Sequence, residues 1–330
     1  MRILVTGGAG YIGSVVVEEL LAAGADRVVV VDDLSTGHEG AVVSPATLTC
    51  GDIADQPLVE KLCRGERIDA VVHMAASSLV AQSVADPARY YDDNVTKGLR
   101  LLEALRAADV ERIVFSSTAA VYDGTGGGPI DEIAPTVPGN PYGDTKLAFE
   151  RALSWYDPAY GMKSISLRYF NAAGATLRNG EQHVPETHLI PLVLDAARGE
   201  RPSVQIYGDD YPTADGTCIR DYVHVSDVAR AHVIAIDHLV RRAESGVYNV
   251  GSGGGYSVRQ VIDTARAVTG RPIHAIAGAR RTGDSAVLVA SCARIRQMLG
   301  WTPTRQDLTT IIGDAWRWIQ RYPAGYSRHA

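Results

Sequence analysis

The sequence predicts a doubly wound α/β fold, a parallel sheet covered by helices on both faces, with a smaller α+β lobe. Three observations carry that expectation. Short β-branched runs alternate with helix-periodic segments through the first half of the chain. Several runs, Val28-Val29-Val30-Val31 above all, are apolar without alternation, as strands buried on both faces require. A glycine cluster follows the first run and opens the first helical pattern.

Taken in order, strands are expected at 2–6, 27–31, 48–50, 70–73, 112–116 and 164–168. Helices are expected between them at 12–23, 56–63, 90–108 and 141–155. After Asn171 the rhythm changes, and helices at 190–198, 226–242, 257–269 and 308–320 are separated by irregular stretches. Ser257 with Gln260 reads as a capping box, and Gly270 as the stop of that helix. The expected division is a nucleotide-binding domain at 1–174, to which 218–243 returns, and a substrate-binding lobe at 175–330.

The 330 residues are 46% hydrophobic and 21% charged, enough to bury a sizeable core and too apolar for a disordered chain. Lys+Arg 32 against Asp+Glu 38 leaves a net charge of −6, which argues against nucleic acid or an anionic membrane as partner. No apolar run reaches the roughly 18 residues of a membrane span. Glycines and glutamates interrupt the first 23 residues, which read as strand, turn and helix rather than a leader, so a cytoplasmic location is expected. Cys50, Cys63, Cys218 and Cys292 are widely spaced and form no metal or disulfide pattern.

Gly7-Gly8-Ala9-Gly10-Tyr11-Ile12-Gly13 lies between the first strand and the first helix. Glycines there let the backbone turn tightly and approach a pyrophosphate, whose charge sits at the helix N-terminus. Asp32 ends the second strand, where a carboxylate accepts ribose hydroxyls and repels a 2′-phosphate; that selects NAD over NADP. Adjacent Asp33 is an alternative for that contact, and Asp52, after the third strand, is placed to reach the adenine edge.

Tyr142 and Lys146 stand four apart within a predicted helix, so phenol and ammonium share one face. With four lysines and 15 tyrosines in 330 residues, chance gives only about 0.2 such ordered pairs. A phenolate at neutral pH needs its pKa lowered by about three units, or roughly 4 kcal/mol. An ammonium ~4 Å away at an effective dielectric of about 20 supplies that much, and an oxidised nicotinamide adds a second positive charge. The strand end Ser116-Ser117-Thr118 offers three hydroxyls as a further partner. His73, ending an apolar strand, reads as a packed histidine. His183 and His188 flank a proline with no third ligand apparent, so no metal is expected.

With these motifs in place, the chain resembles the extended short-chain dehydrogenase/reductase family, most closely its UDP-hexose 4-epimerases. Besides the glycine turn, the resemblance rests on Tyr90-Tyr91-Asp92-Asp93-Asn94-Val95, Pro141-Tyr142-Gly143 and Leu167-Arg168-Tyr169-Phe170-Asn171. It rests also on Arg220-Asp221-Tyr222-Val223-His224-Val225 and Arg280-Arg281-Thr282-Gly283-Asp284. It implies a Rossmann-type domain and a catalytic set of Thr118, Tyr142 and Lys146. It implies NAD held by Gly7, Gly10, Tyr11, Ile12, Gly13, Asp32, Asp33, Asp52, Ile53, Met74, Ala75, Ala76, Asn94, Ser116, Tyr142, Lys146 and Tyr169. The sugar nucleotide, UDP-glucose or UDP-galactose, would meet Thr118, Tyr142, Asn171, His188, Arg220, Arg281 and Asp284, with Tyr207 on the uracil. Arginines suit the diphosphate because their forks bond it bidentately.

Ala119 and Ala120 stand where related dehydratases carry an acid, which favours epimerisation through a transient 4-keto sugar. Asp123 and Ser78 depart from the family's pattern, and Leu288 leaves the acceptance of N-acetylated sugars open. Leu99, Leu102 and Leu105 form a stripe that the resemblance assigns to a homodimeric four-helix bundle, although core packing explains it equally.

Overall fold

A computed structural model of the chain describes residues 1–122, 128–281 and 284–326. The departure at Asp123, the glycine-rich residues 124–127 and the pair Thr282-Gly283 lie outside the described residues. Six strands arise in the first half: β1 (Arg2–Thr6), β2 (Arg27–Asp32), β3 (Thr47–Cys50), β4 (Ala70–His73), β5 (Arg112–Thr118) and β6 (Lys163–Tyr169). With a seventh at Gly246–Val250 they form one sheet, in the order 246–250, β6, β5, β4, β1, β2, β3. Every pairing in it is parallel.

Period-two geometry turns successive residues to opposite faces, so each continuous apolar run feeds two cores. On one face, Val5, Val30 and Val114 meet Val15 and Val16 of α1 (Tyr11–Ala22) and Ile236 of the helix Val225–Arg242. On the other, Leu4, Val29 and Val31 share a core with Val59 of α2 (Gln56–Glu66). A third core, built from Ile190, Val193, Val261, Ile262, Ile311 and Ile312, belongs to the lobe.

The expected helix at 90–108 is interrupted. After α3 (Val80–Ala85), α4 (Pro87–Tyr91) passes through a π-helical turn at Asp92–Thr96 into α5 (Lys97–Ala107). Such a turn re-aims side chains within a helix. Here Asn94 becomes buried, donating to the Ser77 carbonyl and the Thr145 hydroxyl and accepting the Ser77 N–H.

α6 (Pro141–Tyr160) runs five residues past the expected end, to an αL stop at Gly161. The chain also returns to the sheet further than 243. The helix Val225–Arg242 packs on α1, and the edge strand Gly246–Val250 pairs with β6. The lobe's capping box at Ser257 and Gln260 is formed, and none of the four cysteines is paired. No helix among the described residues is long and apolar enough to cross a membrane.

Candidate active site

The C-terminal ends of β1, β2, β4, β5 and β6 lie along one edge of the sheet, where a doubly wound fold binds its ligand. At β1 the chain turns through Gly7, whose φ is +71°, and a Cβ there would lie 2.5 Å from the Ala75 nitrogen. A Cβ on Gly13 would lie 2.1 Å from the Gly7 carbonyl oxygen. The turn therefore closes only with glycine, against Met74-Ala75-Ala76 at the end of β4. Met74 donates its N–H to the Thr6 carbonyl. The result is a backbone cradle at the N-terminus of α1, which fits a dinucleotide pyrophosphate.

Asp32 is buried and accepts N–H bonds from Ala9 and Leu34, both at 2.9 Å. Burial raises its pKa and those two amides hold it back. It is thus fixed beside the glycine turn with lone pairs left for a ribose. Asp33 is exposed and spent on the Ser35 N–H and hydroxyl, so Asp32 is the better placed of the two. Asp52 pairs with Lys97 at 3.1 Å, next to buried Ile53. Tyr11 points its hydroxyl at the Gly174 carbonyl, 2.7 Å away, and with Ile12 offers backbone at the helix start.

At β5 and β6, Thr118 stands beside Tyr169 in register. Pro141 starts α6, and Asn140 caps it by accepting the Gly143 N–H. Gly143 lets the helix approach closely, since a Cβ would lie 2.2 Å from the Ala120 carbonyl oxygen. That approach sets the Tyr142 phenol near the Thr118 side chain, which favours the ionised phenol. One turn on, Lys146 is buried and donates to the Ser116 carbonyl at 2.9 Å. Its Nζ lies 6.0 Å from the Tyr142 ring centroid and 4.9 Å from that of Phe115.

The electrostatics differ from the expectation. Burial pushes the Tyr142 phenol up to about 12, with the Thr118 side chain pulling the other way. Burial also holds Lys146 down to about 7, against support from Glu150. The chain's own charges therefore do not ionise this phenol. An oxidised nicotinamide bound in the cleft would add a second positive charge to that field.

Tyr169 directs its hydroxyl to His232. His73 is the packed histidine expected, bonded to Thr6 at 2.8 Å and stacked on Phe115, with burial holding it at about 3. The sequence reading missed a buried network behind the site. Glu150 accepts from Ser117 and pairs with Arg168 at 2.6 Å, and Arg168 donates to the Tyr122 hydroxyl at 2.8 Å. The visible signal was a Tyr-x-x-x-Lys-x-x-x-Glu spacing, which puts Glu150 on the same helix face.

In the lobe, Arg220 pairs with Asp284 at 3.1 Å and bonds the Ile219 and Ser285 carbonyls. The Arg281 guanidinium lies over the Tyr207 ring, 3.8 Å from its centroid, so the ring expected under a uracil carries a cation on its face. Asn171 pairs with Tyr222 between two short strands. His188 is not joined to that group: its partners are the carboxylates of Glu181 and Glu186, each at 2.8 Å. Burial opposes its charge, and those two carboxylates hold it up at about 10. His183 faces the same pair, so the cluster has the further donors that spacing alone did not reveal.

The NAD dependent epimerase/dehydratase family matches residues 3–251. The chain is 50% identical over 329 residues to a UDP-glucose 4-epimerase of Halalkalibacterium halodurans, covering 99% of this chain and 98% of that one. It is similar to the crystal structure of UDP-glucose 4-epimerase from Brucella ovis in complex with NAD. The TM-score is 0.93 and the identity 44%, covering 96% of this chain and 97% of that one. The Bifidobacterium longum enzyme in complex with NAD+ and UDP gives a TM-score of 0.92 at 37% identity, covering 99% of this chain and 100% of that one.

Proposed function

The chain belongs to the NAD dependent epimerase/dehydratase family, and we infer that it is an NAD-dependent UDP-glucose 4-epimerase, interconverting UDP-glucose and UDP-galactose. One observation carries the catalytic assignment: the Tyr142 phenol lies near the Thr118 side chain at the sheet edge that also holds the glycine cradle, with buried Lys146 one turn behind. Bound NAD supplies the group that accepts hydrogen from carbon 4 as hydride and gives it back, together with a positive ring.

The chain's own residues do the rest. The glycine turn and Asp32 hold the dinucleotide. Lys146, fixed by the Ser116 carbonyl, places its charge beneath the cleft and favours the ionised phenol of Tyr142. Tyr142 takes the proton of the 4-hydroxyl while Thr118 keeps that oxygen in line, and returns it after the sugar has turned. Arg220 and Arg281 anchor the diphosphate throughout, so the keto sugar turns over without leaving. Ala119 and Ala120 offer no acid for a second proton transfer, and the ketone is reduced again rather than dehydrated.

We propose that the enzyme is a cytoplasmic homodimer, joined through α5 and α6. These helices lie side by side, and Leu99 at 36% and Trp155 at 74% exposure leave apolar surface on them. Leu102 and Leu105 of the same stripe are core residues instead.

The reaction is tested by incubating the purified enzyme with UDP-galactose and no added NAD. UDP-glucose is expected to accumulate to equilibrium. A requirement for stoichiometric NAD would instead identify a net dehydrogenase.

A further inference from the structure

We propose that Glu181, His183, Glu186 and His188 form a site for one divalent transition-metal cation, with zinc the preferred ion. The four side chains each present one ligand atom, and all four atoms lie within 4.8 Å of one another. They alternate nitrogen and oxygen. His188 Nδ1 lies 2.8 Å from oxygens of both Glu181 and Glu186, and His183 Nδ1 lies 3.2 Å from Glu181 and 4.0 Å from Glu186. Metal–ligand bonds of about 2.0–2.1 Å in a tetrahedron separate the ligand atoms by roughly 3.3 Å, so small side-chain movements reach that geometry.

Two imidazoles with two carboxylates select a borderline cation such as zinc over calcium or magnesium, which prefer oxygen alone. The surroundings point the same way. Neither carboxylate pairs with a lysine or arginine among the described residues, although the Glu181 side chain is only 9% exposed. The set is also held in place. Glu186 Oε1 accepts the N–H groups of Thr187 and His188, both at 2.7 Å, while its Oε2 faces His183.

Gln182, inside the segment, gives its carbonyl to His38 at 3.0 Å and its side-chain oxygen to the Tyr326 N–H at 2.8 Å. The His183 ring meets Tyr11 edge-on at 6.4 Å. A cation here would lock residues 181–188 against the first helix directly behind the glycine turn. The role is structural and does not depend on the reaction assigned above.

The test uses the NAD-loaded enzyme, dialysed against a chelator and then titrated with ZnCl2 by calorimetry. One zinc ion per chain is expected, with low-micromolar or tighter affinity, and a rise in thermal midpoint of roughly 4 °C at a hundredfold excess over Kd. His183→Ala combined with Glu186→Gln should weaken binding at least a hundredfold. Absence of binding, or equal binding by the variant, overturns the site and leaves only an ion-paired knot. Should the variant fail to fold, CoCl2 added to the unmodified enzyme decides. The strong visible absorption of four-coordinate cobalt supports the proposal, and the pale spectrum of hydrated cobalt refutes it.

Discussion

Tyr142 and Lys146 are displaced by burial in opposite directions, to about 12 and about 7, so each is disfavoured in the charged form that the reaction needs. A positively charged nicotinamide ring in the cleft would add to the field of Lys146 and favour the phenolate. Tyr142→Phe is expected to lower turnover by about a thousandfold while bound NAD is retained. Nucleotide released on denaturation, measured beside kcat, checks both parts. Lys146 has a consequence for stability as well. Between its folded value of about 7 and its ordinary 10.5, the unfolded chain carries the extra proton. Stability should therefore rise with pH across that window. Lys146→Met keeps most of the stem and should flatten that rise while abolishing turnover. Denaturation midpoints of the NAD-free chains at pH 7 and pH 10 test it, and an unchanged slope would remove the buried ammonium from the account.

α6 is the element on which the site hangs. Its first turn approaches Ala120 so closely that only glycine fits at 143, and its third turn is bolted to β6 through Glu150 and Arg168. Gly143→Ala should push the helix outward and weaken the Thr118–Tyr142 contact. A fall in kcat of roughly a hundredfold with an intact circular dichroism spectrum is the expected signature. Glu150→Ala would strand a guanidinium whose side chain is only 6% exposed. That costs about 3–5 kcal/mol, to be read from chemical denaturation. A loss below about 1 kcal/mol would mean that water reaches Arg168 after all.

For the whole molecule, the parallel sheet gathers groups far apart in sequence at one edge, and the proposed partner would cover the exposed apolar residues of α5 and α6. Replacing both Leu99 and Trp155 by Asp is expected to give a monomer by light scattering, because two carboxylates would be buried unpaired in an apolar contact. A dimeric mass for that variant would place the interface elsewhere.

What could be read along the chain was whatever depends on local pattern. Short β-rich runs located β1 to β6 to within two residues. In β1, β2 and β4 burial on both faces leaves no alternation to misread, whereas β3 is a partly exposed edge strand. The glycine turn, Asp32 and the Tyr142–Lys146 spacing were legible because each role needs a particular residue type at a fixed offset. Tertiary structure alone decided the rest. The π-helical turn at Asp92–Thr96 exists because Asn94 is satisfied by Ser77 and Thr145, and the latter lies on another helix. The return of residues 246–250 to the sheet depends on pairing with a strand some eighty residues earlier. Glu181 and Glu186 each stand two residues before a histidine, yet no helical or strand period predicts that the irregular stretch 181–188 brings the four side chains together. Hydrogen bonds and charge pairing act through space, and a one-dimensional pattern records distance along the chain alone.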